Sequence, residues 1–381
     1  MNKFLTQFKK KIKVLHIFAE LNYSGGELMI SNAKQLYDRH NIETHILSTG
    51  DKRGNFAKIF SSIGCFVYHI PFKRNIFFLI KFLNFLKKNK NFDIIHIHTE
   101  RADVFYSFII RLVYGYKIGI VRSVNHLFRF QGFLRLRKII ERNISKFFLK
   151  TTFICNCVSG QFVEKKYYFM KNKIIPCWYN SNLYSPRSKK IYNQSRKKFS
   201  IKKKTCVFIS LGKYSYYKNY DCIIDSLSLI DKKFKISYLH LGDNSNKLKN
   251  YIKQKKLSNR ATSLGVVPNI YNYLAAADVF IMPSSEEGFG VAAIEAMGVG
   301  LPSILSNVVA LSDFKSKIKG ITFVKPNPKS IAKSMIKYCN LSSNKRFNIG
   351  NKLSRQSKIH YGLDNGPKKY MKLYFALLKA K

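Results

Sequence analysis

The sequence predicts an α/β protein made of two doubly wound, mostly parallel sheets. Three observations predict it. Short β-rich apolar runs alternate with longer helical stretches through the first half, the alternation breaks near residue 180, and it then resumes for six further runs. At 381 residues the chain is long enough for two domains, each with its own core.

The first series of expected strands is Val14–Phe18, His45–Leu47, Phe66–Ile70, Ile94–His98, Ile118–Arg122 and Thr152–Cys155. These runs have strand length and strand composition, and helical patterns separate them. His96 and His98 alternate on one buried run and read as structural. Pro176 to Pro186 is irregular, and Arg187 to Lys204 is polar and strongly basic. The second series follows as Val207–Leu211, Ser237–Leu241, Thr262–Leu264, Val279–Met282, Ser303–Leu305 and Thr322–Val324. The tail from Lys352 to Lys381 is helical, aromatic and basic. The expected division is therefore 1–185 and 186–359, with no internal repeat.

Charge is the strongest compositional signal. There are 68 Lys plus Arg against 20 Asp plus Glu, a formal net charge of +48. Such a field attracts polyanions. Abundant Ile, Asn and Lys point to a compositional bias behind part of it. No nucleic-acid motif accompanies the charge, so nucleic acid ranks behind an anionic leaflet, where each surface cation contributes ~1 kcal/mol. In two places cations interleave with large apolar residues, at Phe72–Lys88 and at Phe128–Lys138. Either segment suits a headgroup–acyl boundary, and the first suits equally a core-facing helix with a lysine rim. The seven cysteines are scattered; Cys155 and Cys157 lack zinc-site spacing, and isolated thiols fit a reducing cytoplasm. No apolar run reaches the ~20 residues of a membrane span. The basic start, Met1–Lys13, leads into a short stretch holding His16 and Glu20, which does not read as a cleaved signal.

The most informative stretch is Ser284-Ser285-Glu286-Glu287-Gly288-Phe289-Gly290-Val291, running into Ala292-Ala293-Ile294-Glu295-Ala296-Met297. Two carboxylates stand eight positions apart across a glycine turn that follows a strand and opens a helix. Strand, glycine turn and helix start together offer free N–H groups and the positive end of a helix dipole to a phosphate. Two other strand ends carry glycine turns with polar company, Ser24-Gly25-Gly26-Glu27 and Gly212-Lys213-Tyr214-Ser215-Tyr216-Tyr217-Lys218-Asn219. Gly242 after Leu241, and Gly265-Val266 after Leu264, complete the set.

The Glu-Gly-Phe-Gly turn followed by Glu-Ala-Met resembles the signature of the retaining glycosyltransferases of family 4, which have the GT-B fold. The resemblance implies two Rossmann-like domains facing across a cleft, the last helix (360–381) crossing back onto the first. It implies no cofactor and no metal, only a UDP- or GDP-linked sugar as co-substrate. Glu287 would accept hydrogen bonds from the transferred sugar and Glu295 from the ribose. Lys213 and Lys218, with Asn219, would face the diphosphate, although Lys213 stands where arginine is usual and lacks its two-pronged geometry. The backbone at Gly288, Phe289, Gly290 and Val291 would hold phosphate. Gly25 and Gly26 would lie under the diphosphate, Gly212, Gly242 and Val266 would line the nucleotide, and His126 would contact the donor sugar. The expected acceptor is a lipid-linked or lipopolysaccharide- or capsule-type glycan. The expected location is cytoplasmic, peripheral on the inner face of the plasma membrane. Departures from the pattern fall at Cys177-Trp178-Tyr179-Asn180 and at Val309-Ala310-Leu311-Ser312-Asp313. Two alternatives stand beside this reading: a nucleotide-sugar epimerase of the same fold, and a non-catalytic polyanion-binding module.

Overall fold

The computed structural model describes residues 10–100, 102–125, 127 and 129–380. The chain divides into two compact units. One runs to Trp178 and resumes at Asp364, and the other is Tyr179–Leu363. The expected division at 185 and 359 differs from this by a few residues on each side. Local pairing accounts for the difference: the Tyr179 amide donates to the Tyr361 carbonyl at 3.0 Å, which joins both chain ends of the second unit.

The first unit contains β1 (Ile12–Phe18), α1 (Gly25–Arg39), β2 (Ile42–Ser48), α2 (Ala57–Ser62), β3 (Phe66–His69), α3 (Ile76–Lys88), β4 (Ile94–Ile97), α4 (Asp103–Tyr114), β5 (Gly119–Val124), α5 (Gly132–Asn143), β6 (Thr151–Cys155), α6 (Val158–Tyr168) and β7 (Lys173–Ile174). Its sheet has seven strands in the order β3-β2-β1-β4-β5-β6-β7. The paired strands are parallel throughout. Parallel strands are covered on both faces, which is why runs such as Ile94–Ile97 are buried at every position. The two-residue β7 was not anticipated; it is too short to leave a periodic signal.

The second unit contains α7 (Lys189–Lys198), β8 (Cys206–Leu211), α8 (Asp221–Ser228), β9 (Ile236–Leu241), α9 (Ser245–Gln254), β10 (Ala261–Gly265), α10 (Ile270–Ala276), β11 (Val279–Met282), α11 (Val291–Gly298), β12 (Ser303–Ser306), β13 (Thr322–Val324), α12 (Pro328–Cys339) and α13 (Ser343–Tyr361). Its six strands run β10-β9-β8-β11-β12-β13, again parallel. The polar, strongly basic stretch 187–204, for which no element was expected, holds α7. Ser188 caps that helix by accepting from the Ile191 amide at 3.2 Å, and the buried Arg196 anchors it to Asp278 at 3.0 Å. A charged helix folds here because one of its cations finds a buried acid.

The chain then returns as α14 (Gly366–Lys379), which belongs to the first unit. Its tyrosines reach under the first sheet. The Tyr374 hydroxyl meets His96 Nδ1 at 2.7 Å, and the Tyr370 hydroxyl meets Ser123 Oγ at 3.2 Å. Trp178 is wholly buried, donates from Nε1 to the Met29 carbonyl at 2.9 Å, and sets its ring edge-on to Tyr370 at 4.9 Å. Gly366 is required at this contact, because a Cβ there would lie 2.3 Å from Trp178 Cβ.

Tyr374→Phe leaves a buried ring nitrogen of His96 without its hydroxyl. The substitution is expected to reduce stability by about 1–3 kcal/mol. A urea titration checks this, with a lower midpoint at unchanged slope as the expected result.

Candidate active site

In the second sheet the strand order reverses beside β8, so the loops after β8 and β11 leave in opposite directions. That reversal opens a crevice at the carboxyl ends of the strands. The glycine turns predicted from sequence sit there. Gly212 has φ +137° and Gly242 φ +156°, and a Cβ on Gly242 would lie 2.0 Å from the Gly212 carbonyl oxygen. Only glycine permits the ends of β8 and β9 to cross this closely. The Gly242 amide in turn donates to the Gly265 carbonyl at 2.8 Å, which adds the end of β10 to the same platform. Beneath it, burial lowers the pKa of His240 to about 4. The ring is neutral, donating from Nε2 to the Gly212 carbonyl at 2.9 Å and accepting at Nδ1 from Ser263 at 2.8 Å.

Two of the predicted charges are brought together. Lys218 Nζ donates to Glu287 Oε2 at 2.6 Å, and the Ser284 hydroxyl donates to the same oxygen at 3.3 Å. Lys218 lies in a short 3-10 turn after β8, and Glu287 in the loop after β11. The two loops are tied through main chain, with the Ser285 amide donating to the Tyr217 carbonyl at 2.9 Å. Lys213 is exposed at the end of the Gly212 turn, and Val266 is exposed after β10. Asn219 takes φ +54°, and its amide nitrogen donates to the carbonyls of Pro283, at 3.1 Å, and Pro326, at 3.4 Å. Its side chain therefore holds the two loops rather than pointing outward.

The glycine turn opens α11 as expected. Gly290 is the N-cap with φ +98°, and a Cβ there would press on Leu311 Cδ2 at 2.7 Å. Gly288 and Val291 are half-buried on either side of it. Phe289 is buried between Phe314 and Tyr361, with ring centroids 5.4 and 5.5 Å away, so its side chain anchors the turn and its backbone is the part left for a ligand. The Ala293 amide donates to the Gly290 carbonyl at 3.0 Å, and the amides ahead of it, at Gly290 and Val291, stand before the helical ladder begins, which suits an anion.

Glu295 lies one turn inside α11 and is 4% exposed. Its Oε1 has no hydrogen-bond partner among the described residues. Burial raises its pKa to about 8, so the carboxyl is largely protonated at neutral pH. A buried acid with an unused oxygen suits donors brought by a ligand.

In the first unit, Gly25 and Gly26 begin α1. A Cβ on Gly26 would make only ordinary contact with Phe18, at 3.5 Å. The feature that organises this turn is Glu27, which was not predicted. Its carboxylate accepts from the Asn22 amide at 3.3 Å and from the Ser24 hydroxyl, and burial pushes its pKa up. The Ser24-x-x-Glu27 spacing of a capping box was the available signal. His126 lies outside the described residues.

His96 and His98 prove to belong to a trio with His16, the one group among the described residues whose ligand atoms lie close enough to hold a metal ion, all within 4.8 Å. His16 Nδ1 meets His98 Nε2 at 3.0 Å, and both nitrogens of His96 are taken by hydroxyls, Tyr374 and Ser123, at 2.7 Å each. Burial lowers all three pKa values, that of His16 to about 3. As it stands the trio is a neutral hydrogen-bonded stack beside the switch point of the first sheet.

Comparison with known proteins identifies the family. Residues 192–355 match the family described as "Glycosyl transferases group 1", and residues 23–180 match "Glycosyltransferase Family 4". The chain is 27% identical to the capsular polysaccharide biosynthesis glycosyltransferase CapH of Staphylococcus aureus, over 89% of this chain and 94% of that one. It is 30% identical to a UDP-Gal:alpha-D-GlcNAc-diphosphoundecaprenol alpha-1,3-galactosyltransferase of Escherichia coli, over 60% and 61%. The crystal structure of Anabaena Alr3699/HepE in complex with UDP and glucose superposes with a TM-score of 0.79 at 17% identity, covering 95% of this chain and 99% of that one. With both halves of the chain matched and both sheets in Rossmann-like order, the chain belongs to the family 4 glycosyltransferases of the GT-B fold.

Proposed function

We propose that this glycosyltransferase moves a sugar, with retained anomeric configuration, from a UDP- or GDP-linked donor to a lipid-linked or lipopolysaccharide- or capsule-type glycan. It does so without a metal ion or other cofactor, at the cytoplasmic face of the plasma membrane. The observation that carries the reading is the Lys218–Glu287 pair, 2.6 Å apart at the ends of the two strands that flank the switch point. The named activities of the capsular and diphosphoundecaprenol-linked relatives support the acceptor class, and the UDP and glucose of the Anabaena complex support the donor class. The net charge of +48 supports the location.

The chemistry follows from the groups present. Glu287 accepts hydroxyl hydrogens of the transferred sugar. Lys213, Lys218 and the first-turn amides at Gly290 and Val291 take the diphosphate, whose charge grows as the glycosidic bond breaks. Lys218 exchanges its carboxylate partner for phosphate oxygens as Glu287 turns to the sugar. The leaving phosphate takes the proton of the attacking hydroxyl on the same face, so no protein nucleophile is needed.

Glu287→Gln and Lys218→Ala are each expected to reduce kcat/KM by about 10²–10³-fold. A panel of UDP- and GDP-sugars, assayed with and without lipid-linked acceptor, checks this. Donor turnover that needs no acceptor would favour the epimerase reading, and unchanged activity in Glu287→Gln would overturn the site.

Glu295 gives a pH prediction. Its folded pKa, about 8, lies above its ordinary value of 4.5, so the unfolded chain loses this proton first. Stability is therefore lost as pH rises from about 4.5 to about 8. Glu295→Gln is expected to raise the thermal midpoint of the ligand-free protein by at least about 2 °C at pH 8.5 and to leave it nearly unchanged at pH 4.5. Ribose hydroxyls pair best with the carboxylate, so UDP binding is expected to release a proton near pH 7. Calorimetry in two buffers of different ionisation heat reads that release, and its absence would remove Glu295 from the ribose site.

A further inference from the structure

Helix α5 is inside out. The side chains it buries are Lys138 and Arg142. Arg142 donates to Glu164 at 3.0 Å and stacks 4.1 Å over the Tyr168 ring, and Lys138 pairs with Glu141 at 2.8 Å. Its outward face is mostly apolar, with an exposed cation, Arg137, among Phe133, 81% exposed, Leu136, 53%, and Ile140, 51%. The π turn that continues it, Ile144–Phe148, leaves Phe147 and Phe148 exposed too. A helix on an ordinary protein surface has the opposite arrangement. The outward face of α5 is thus built for an apolar surrounding, while buried ion pairs hold the helix to its own unit.

Beside it lies a groove of about 680 Å³, bounded by the start of α3, by α4 and by α5, within the ~300–1,000 Å³ range of small-molecule sites. Ile76, Leu79, Phe105, Phe108 and Ile144 make it apolar. Its lining also holds four cations, Lys73, Arg74, Arg137 and Lys138, against two carboxylates, Asp103 and Glu141. Asp103 is taken by Arg122 at 3.0 Å, and Glu141 is shared by Arg137 and Lys138, at 2.8 Å each. The groove therefore presents a hydrocarbon-like floor with a net positive rim.

We propose that the groove and the outward face of α5 together form a docking site for an anionic phospholipid leaflet. A lipid hydrocarbon chain lies over Phe105, Phe108 and Ile144, and lipid phosphate meets Lys73, Arg74 and Arg137. Helix α5 lies flat at the headgroup–acyl boundary, its apolar face down. Charge complementarity selects this occupant: apolar surface rimmed by cations fits phosphate-bearing lipid, whereas a second copy of this chain would bring the same cations against themselves. The proposal deepens the lipid-linked acceptor reading and rests on it for the biological setting, since it fixes which face of the first unit meets the leaflet.

The test is flotation of the full chain with vesicles of equal parts phosphatidylglycerol and phosphatidylcholine, beside vesicles of phosphatidylcholine alone. The chain is expected to float with the anionic vesicles at least tenfold more strongly. Phe133→Ser/Leu136→Ser/Ile140→Ser and Phe108→Glu, each confirmed folded by circular dichroism, are expected to weaken flotation at least tenfold. Lys73→Gln/Arg74→Gln is expected to weaken it about fivefold per cation. Lys202→Gln/Lys203→Gln, which removes the same charge from the second unit, is expected to leave it unchanged. Equal loss in that control would mean charge alone binds, and would overturn the site. So would absence of flotation in the unsubstituted chain, or a concentration-dependent dimer abolished by the α5 variant. The vesicle assay uses no sugar, so it separates the two readings. Sugar transfer intact without flotation sinks the docking site and spares the enzyme assignment. Flotation intact without transfer upholds the docking site and sinks the assigned reaction.

Discussion

Much of this structure depends on one topological constraint, the reversal of strand order beside the first strand of each sheet. Right-handed crossovers cover both faces of a parallel sheet only if the winding changes direction once. At that point neighbouring loops part, and the carboxyl ends of two strands are left uncovered. In the second sheet these are β8 and β11, and each carries one half of the Lys218–Glu287 pair. The close crossing of Gly212 and Gly242 keeps the floor of the crevice flat enough for backbone to serve as lining. The Lys218–Glu287 pair is thus placed by chain winding first and by side-chain choice second.

The acids explain how so basic a chain folds. There are 20 against 68 cations, and several are spent inside, where Glu164, Asp278 and Asp103 pair with buried arginines at 3.0 Å. Buried pairs of this kind add little net stability over apolar packing, but removing one partner strands the other in a dry site. They fix α5 and α7 in place. With acids concentrated at these anchors, the surface keeps its cations largely unneutralised, and the positive field is a property of the exterior.

Much of the fold was legible in the sequence, because parallel strands must be apolar throughout and their helices must be longer. All twelve expected strands are present; the unforeseen β7 is two residues long, and the unforeseen α7 is held by Arg196 on an acid eighty-two positions away. The carboxylate signature was legible because glycine is forced at Gly290 by a positive φ and by Leu311. What could not be read was which charges find each other. Lys218 and Glu287 meet across sixty-nine positions, and nothing local in the sequence records it. The surface reading of Phe128–Lys138 matches the outward apolar residues of α5, but the acids that hold Arg142 inward, Glu164 and Glu100, lie far from it in sequence and leave no local signal.

The return of α14 to the first unit has a consequence for synthesis. Trp178, Ser123 and His96 are all made before the tyrosines that cover them, and the whole second unit is translated in between. At ~5–20 residues per second, those roughly 185 intervening residues take about ten to forty seconds. Throughout that interval the nascent first unit carries an uncovered seam along β4 and β5, and it closes only after α14 has left the ribosome. The first unit is thus completed only after the second has been made, although most of its residues precede it.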